Sequence, residues 1–320
     1  NSARFMLCLM RLSFVRLIPS PDHPQNLIEV FGEFFYLLFS EKDKMVTTQN
    51  MIKISIITCT YNSEKHLRKA LSSIESQTYP NIQHIINDSY STDGTLEIIE
   101  DYIERNGSRV EIKFIQSEPR GVGNALNTAT AMATGEVIHF LHSDDYYLDE
   151  SAVERAVRHF QENPDLVWLT GNFVVEWRGR RLVLPQTLIL QPNLEIALSV
   201  MNFISHENTF MKREAVKDYG GFLESKTEPV EYSLWLKLFK DHRPLILNDE
   251  FTVFIIHKDS TSTGNVFKLI KAMRRALHTQ RNQHIFPLLG YYREKRYYKR
   301  FSSVKRWVFN LTSIFNSRKA

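Results

Sequence analysis

The chain has 320 residues, 43% of them hydrophobic and 24% charged, which allows a full buried core and is ordinary for a soluble globular protein. Its two cysteines, Cys8 and Cys59, lie far apart; that excludes a disulfide framework and fits a reducing, cytoplasmic compartment. The net charge of +4 conceals an asymmetry: residues 265–320 hold 14 of the 40 Lys and Arg but one of the 36 acids, leaving 26 against 35 before them. An acidic body with a basic tail directs the tail towards an anionic surface.

The first fifty residues open on Asn1, and a Met falls at position 51, directly before the first good strand. This segment is an N-terminal extension of unassigned role. Its apolar stretches are interrupted by Arg11, Arg16, Glu29 and Glu33, short of the roughly 20 residues that cross a bilayer. From Lys53 the pattern becomes regular. "KISIITC" reads as a buried strand, and Leu67, Ala70, Leu71 and Ile74 share one face of a helix that ends before Pro80. Strands are expected at 82–86, 110–115 and 136–141, and helices at 96–103, 121–133 and 151–162. Such alternation means βαβ units and a mostly parallel sheet covered by helices on both faces. Beyond Leu166, "LVWLTGNFVVEW" and "RLVLPQTLIL" read as antiparallel strands around the basic turn "RGRR". A mixed half follows, with helices from Lys212 and around 230–240 and a strand at "FTVFII". The chain thus divides into an extension (1–50), one α/β domain (51–264) and a basic amphipathic helical tail (265–320).

Chemistry concentrates at strand ends, where open α/β sheets bind ligands. In "VIHFLHSDDYYL" an apolar run stops at Asp144 and Asp145. Adjacent carboxylates repel unless a cation neutralises them, so the pair reads either as a solvated turn or as a divalent metal site. Asp88 ends the second strand, in "IINDSYSTDGT", where a carboxylate can accept bonds from a base and a ribose; Asp93-Gly94 beside it is a turn signal. Glu228 and Glu231, in "TEPVEYSLWLKL", precede or open a helix. His206 and His257 each read singly as satisfied polar residues. No glycine follows the first strand in "TCTYNSEKH", so a dinucleotide-binding dehydrogenase and a nucleotidyltransferase are both excluded.

Taken in order, "ISIITCTYNSEKH…IINDSYSTDGT", "SEPRGVGNALNTA", "ATGEVIHFLHSDDYYL" and "HENTFMKRE…YGGF…EYSLWLKL…IIHKDSTS" resemble glycosyltransferase family 2, inverting enzymes of the GT-A fold. The resemblance covers roughly residues 53–262. It implies transfer of a sugar from a nucleotide-diphosphate donor, a UDP-sugar, to a hydroxyl of a glycan or lipid-linked acceptor in surface-polysaccharide or glycolipid assembly. It places Thr60, Tyr61, Asn62, Asp88 and Arg120 at the nucleotide, Asp144 towards the ribose, and Asp145 on an Mg²⁺ or Mn²⁺ ion with His257 nearby. Glu231 falls on the general base of the family, with Glu228 as its rival. Gly123 and Asn124 stand where compared members carry Tyr and Asp. A non-catalytic nucleotide-sugar-binding homologue is the alternative reading. The tail mixes Lys and Arg with Tyr, Trp and Phe and has no nucleic-acid-binding motif. The expected partner is therefore an anionic membrane surface, with the protein peripheral on its cytoplasmic face.

Overall fold

The computed structural model describes residues 51–177, 179–186, 194, 198, 202, 204–224 and 230–257. The N-terminal extension, the basic tail and Glu228 lie outside the described residues.

The alternation expected from the sequence is present: β1 (Ile54–Thr60), α1 (Glu64–Glu75), β2 (Ile82–Asp88), α2 (Thr95–Asn106), β3 (Glu111–Gln116), α3 (Val122–Ala131) and β4 (Val137–Phe140). After β5 (Tyr146–Tyr147) come α4 (Ala152–Glu162), β6 (Trp168–Thr170), β7 (Phe173–Trp177) and β8 (Arg180–Leu184). A 3-10 turn (His206–Asn208) leads into β9 (Thr209–Lys212), α5 (Arg213–Asp218), α6 (Val230–Asp241), β10 (Leu245–Ile246) and β11 (Thr252–Ile255). Helix α1 buries the four residues that its spacing picks out, Leu67, Ala70, Leu71 and Ile74. With Ile86 of β2 and Ile98, Ile99 and Tyr102 of α2, Leu67 and Leu71 form one cluster. Among the described residues, no helix is long and apolar enough to cross a membrane.

The main sheet has seven strands in the order β10-β6-β9-β4-β1-β2-β3. β1 pairs in parallel with β2 and β4, and β2 with β3; β9 runs antiparallel between β4 and β6. The register sets Thr60 opposite Asp88, and Asp88 opposite Gln116, so three side chains meet at one carboxyl end. Helix α6 is buried on most of its circumference, from Val230 to Phe239, with Lys240 and Asp241 exposed at its end. Its Trp235 stacks on Trp168 of β6, ring centroids 5.5 Å apart.

The apolar stretch 166–177, expected as one strand, is two. β6 belongs to the main sheet and β7 to a second sheet of four strands in the order β5-β11-β7-β8. The break is Gly171-Asn172. A Cβ on Gly171 would lie 2.6 Å from the Asp249 carbonyl and 2.8 Å from the Phe251 ring, so only glycine permits this close passage. Asn172 then donates its N–H to the Asp249 carbonyl (2.6 Å), which turns the chain into the second sheet.

Candidate active site

Asp88 is completely buried at the end of β2. One carboxylate oxygen accepts the hydroxyls of Thr60 (2.8 Å) and Ser91 (2.5 Å); the other accepts the Ser91 N–H (2.9 Å) and the Gln116 side-chain amide (3.3 Å). An ionised carboxylate offers about four lone-pair sites, and all four are used inside the protein. Asp88 therefore organises a turn, and a nucleobase would have to displace one of these donors, Gln116 being the most weakly held. Within that turn Tyr90 has φ +55°, a left-handed conformation that is a genuine outlier for a bulky residue. Asn62, at φ +51°, does the same after β1. The Asn62 N–H donates to the Ser91 hydroxyl (2.9 Å), and its side-chain oxygen accepts the Thr92 N–H (2.9 Å). The two loops are thus cross-linked. Each presents an exposed tyrosine at the sheet's rim, Tyr61 (60% exposed) and Tyr90 (50%). Asp93 accepts the N–H and hydroxyl of Thr95 at the start of α2 and the Glu64 N–H (3.2 Å) at the start of α1.

The acid pair follows β4. The Asp145 N–H donates to the His142 carbonyl (3.1 Å), a tight turn that folds its side chain inward to 1% exposure. One oxygen of Asp145 accepts the Ile255 N–H of β11 (3.1 Å); the other is buried with no partner. Burial first, then the charges of Glu207 and Asp144, push its pKa well above the usual carboxylate range, against the Ile255 hydrogen bond. Asp144 is more open and meets His257 Nε2 at 2.9 Å. His257 in turn stacks on His66 of α1, centroids 4.1 Å apart. The structure therefore brings Asp144, Asp145 and His257 together. A buried carboxylate oxygen without a donor, beside a second carboxylate, suits a divalent cation. Among the described residues no cluster of three or more acids, histidines or cysteines encloses a metal by itself. Mg²⁺ and Mn²⁺ sites of this kind are completed by water and by substrate phosphates.

Glu231 is the second residue of α6. Part of its surface is open, but protein encloses the carboxyl, and this burial raises its pKa. Glu207 raises it further, while its own backbone N–H, His142 and the Asn202 amide (3.4 Å) lower it. Glu207 was not singled out by the sequence, where "SHENTF" drew attention only to its histidine. It sits in the 3-10 turn, holds the Ser205 hydroxyl (3.1 Å), and its charge acts on both Asp145 and Glu231. Its carbonyl is fixed by His139 Nε2 (2.8 Å) and the Thr252 hydroxyl (2.6 Å). His206, expected to be satisfied, is 6% exposed with an unpartnered Nε2. Rings of Phe140, Phe222, Trp235 and His142 surround it, and burial holds it neutral. Arg120 lies just before α3, and the charge it acts on is that of Glu224.

A mostly parallel sheet flanked by helices, with acids at the carboxyl ends of β2 and β4, defines a GT-A type α/β protein. The chain belongs to glycosyl transferase family 2, whose model matches residues 55–220. Poly(ribitol-phosphate) β-N-acetylglucosaminyltransferase TarS of Staphylococcus aureus is 32% identical over 150 residues, 46% of this chain and 25% of that protein. Chondroitin synthase of Escherichia coli is 26% identical over 243 residues, 74% of this chain and 34% of that one. Poly-β-1,6-N-acetyl-D-glucosamine synthase of Staphylococcus epidermidis is 29% identical over 225 residues, 66% and 53%. The chain thus spans between a quarter and about half the length of these relatives. Among solved structures, residues 1–349 of S. aureus TarS in complex with UDP-GlcNAc superpose with a TM-score of 0.56 at 23% identity, covering 67% of this chain and 61% of that one. The mannosyltransferase PcManGT of Pyrobaculum calidifontis, in complex with GDP-Man and Mn²⁺, also scores 0.56, at 19% identity and covering 79% and 72%.

Proposed function

We propose that the chain is an inverting glycosyltransferase that moves a sugar from a UDP-sugar to a hydroxyl of a glycan or lipid-linked acceptor in surface-polysaccharide assembly. One observation carries the reading: Asp145, buried with one oxygen unpartnered, lies beside His257-paired Asp144 at the carboxyl end of β4. The named activities of the relatives, two of them N-acetylglucosaminyl transfer or polymerisation, support a UDP-linked N-acetylhexosamine as the donor.

Asp145 and Asp144 would hold Mg²⁺ or Mn²⁺ together with the donor's phosphates. Such a cation, when bound, stabilises the negative charge that grows on the departing nucleoside diphosphate. Thr60, Tyr61, Asn62 and Tyr90 line the nucleotide end, with Asp88 holding their loops in place. Glu231 accepts the proton of the acceptor hydroxyl as that oxygen attacks the anomeric carbon. Its raised pKa makes it a stronger base than an exposed glutamate. A single displacement inverts the configuration and needs no covalent intermediate. Glu228 remains the rival base. The basic tail docks the protein on anionic lipid, near a lipid-linked acceptor. Vesicle co-sedimentation at low and high salt, comparing the full chain with one ending near Asn282, tests that docking.

The decisive experiment is a panel of nucleotide sugars with Mn²⁺, scored for nucleoside diphosphate release. Cation-dependent release of UDP is expected. Release undiminished in excess EDTA, or no donor turned over and no UDP bound, overturns the reading.

A further inference from the structure

Helix α3 opens with "GVGNALN", and the chain after α5 reads "YGGFLE". These stretches, some 95 residues apart, are joined at three levels. The Asn127 side-chain amide forms a double hydrogen bond with the backbone of Phe222, donating to its carbonyl (2.9 Å) and accepting its N–H (2.8 Å). The approach is guided by Gly220 and Gly221, both left-handed at φ +77° and +66°. Gly123 has no Cβ because none fits: it would lie 2.2 Å from the Leu223 carbonyl oxygen and 3.2 Å from Val230 Cγ1. At the rim, the Glu224 carboxylate accepts the amides of Asn124 (3.0 Å) and Asn127 (3.2 Å).

The joined segment leads to the proposed base. The Leu223 N–H donates to the Val230 carbonyl (3.4 Å), and Val230 directly precedes Glu231 at the start of α6. Phe222, held by Asn127, lies parallel to the His206 ring (2° between planes) and edge-on to Phe140 (4.8 Å). Residues 222–224 and the first turn of α6 are therefore pressed onto α3 as one unit. Backbone-to-side-chain bonds hold the centre, and a bare Cα sets the distance.

We propose that Gly123, Asn124 and Asn127 form a latch that positions the first turn of α6, and with it Glu231, over the reacting hydroxyl. The assignment of Glu231 rests on the glycosyl-transfer reading; the latch itself does not. It also explains why positions 123 and 124 depart from the Tyr and Asp of compared family members. A side chain at 123 strikes the Leu223 backbone, and at 124 a neutral donor is needed opposite Glu224.

The test uses the full chain and the variants Asn127→Ala, Asn124→Asp, Glu224→Gln and the double variant Asn124→Asp/Glu224→Gln. Asn124→Asp sets two carboxylates against each other; adding Glu224→Gln restores a donor–acceptor pair with its direction reversed. Hydrogen exchange is read over residues 230–236, and UDP release from UDP-GlcNAc with Mn²⁺ is read as kcat and KM. Asn127→Ala and Asn124→Asp should speed exchange in the first turns of α6 and lower kcat on the order of 10-fold with KM unchanged, as misplacement of a reacting group does. The double variant should recover both. Unchanged exchange in both Asn127→Ala and Asn124→Asp overturns the latch, and so does a loss confined to KM or a double variant no better than Asn124→Asp. If the wild type neither binds UDP nor releases it, the transfer reading fails, and the exchange data still decide the latch.

Discussion

Replacing Asp145 by Asn separates charge from shape at the proposed cation site. The amide oxygen can keep the Ile255 N–H bond, and the amide nitrogen takes the place of an oxygen that already lacks a partner. Hydrogen bonding is therefore nearly conserved while the capacity to carry a buried negative charge is removed. Because the folded pKa of Asp145 is raised, the metal-free fold loses stability as pH climbs from the ordinary carboxylate range through that folded value. At pH 7.5 without metal, Asp145→Asn should be as stable as the wild type or more stable, by up to about 1–3 kcal/mol. With Mn²⁺ and UDP the order reverses. A ligand at 100 times its Kd stabilises by about 2.7 kcal/mol, or roughly 5–10 °C for a domain of this size at 2–4 °C per kcal/mol. The wild type should show that rise and Asp145→Asn almost none. Differential scanning fluorimetry with and without Mn²⁺·UDP reads both. A variant that is destabilised without metal yet keeps the full ligand-induced rise would refute the reasoning.

Glu231→Gln should retain UDP binding and lose at least about 100-fold in transfer, since it removes proton acceptance at constant size; transfer at the wild-type rate shifts the base to Glu228. Glu207→Gln should move the acidic limb of the pH–rate profile to lower pH, because Glu207 raises the Glu231 pKa and its charge would be gone; a limb that stays put disconnects the two acids. Gly135→Ala places a Cβ 2.5 Å from the Ser55 nitrogen and 2.8 Å from the Ile54 carbonyl carbon, backbone atoms of β1 that cannot yield. A loss of about 1–3 kcal/mol or more is expected by chemical denaturation, with any residual activity per folded molecule unchanged.

What the sequence made legible follows from which signals are local. The faces of α1 and α2 and the buried runs of β1, β2 and β4 are periodic over a few residues, and the structure keeps them. The stretch 166–177 misled because β6 and β7 are both apolar and adjacent, and periodicity carries no mark of which sheet a strand joins. Only Gly171 signalled the break, and its reason lies near residue 250. β9 escaped because four residues behind a polar turn show no alternation. The acid pair was visible as a charge at a strand's end. Its chemistry depends on Ile255, 110 residues away, and on Glu207, which nothing in the sequence set apart.

The acids of the site differ in how far the protein satisfies them, and the difference sorts structure from chemistry. Asp88 spends every lone pair on Thr60, Ser91 and Gln116; Asp145 leaves one oxygen bare. A buried polar group that is fully bonded rigidifies its surroundings, whereas an unbonded one is costly unless something else completes it. The same conservative substitution should therefore act oppositely at the two positions. In Asp88→Asn the single carbonyl can face the Ser91 N–H and Gln116, or the two hydroxyls, but not both sets. Losing charge-assisted bonds there should cost about 1–3 kcal/mol and release Tyr90 from its left-handed conformation, lowering the metal-free melting temperature. Asp145→Asn should leave that temperature unchanged or raise it. If both variants shift it in the same direction by similar amounts, hydrogen-bond saturation does not distinguish the scaffold acid from the cation-binding one.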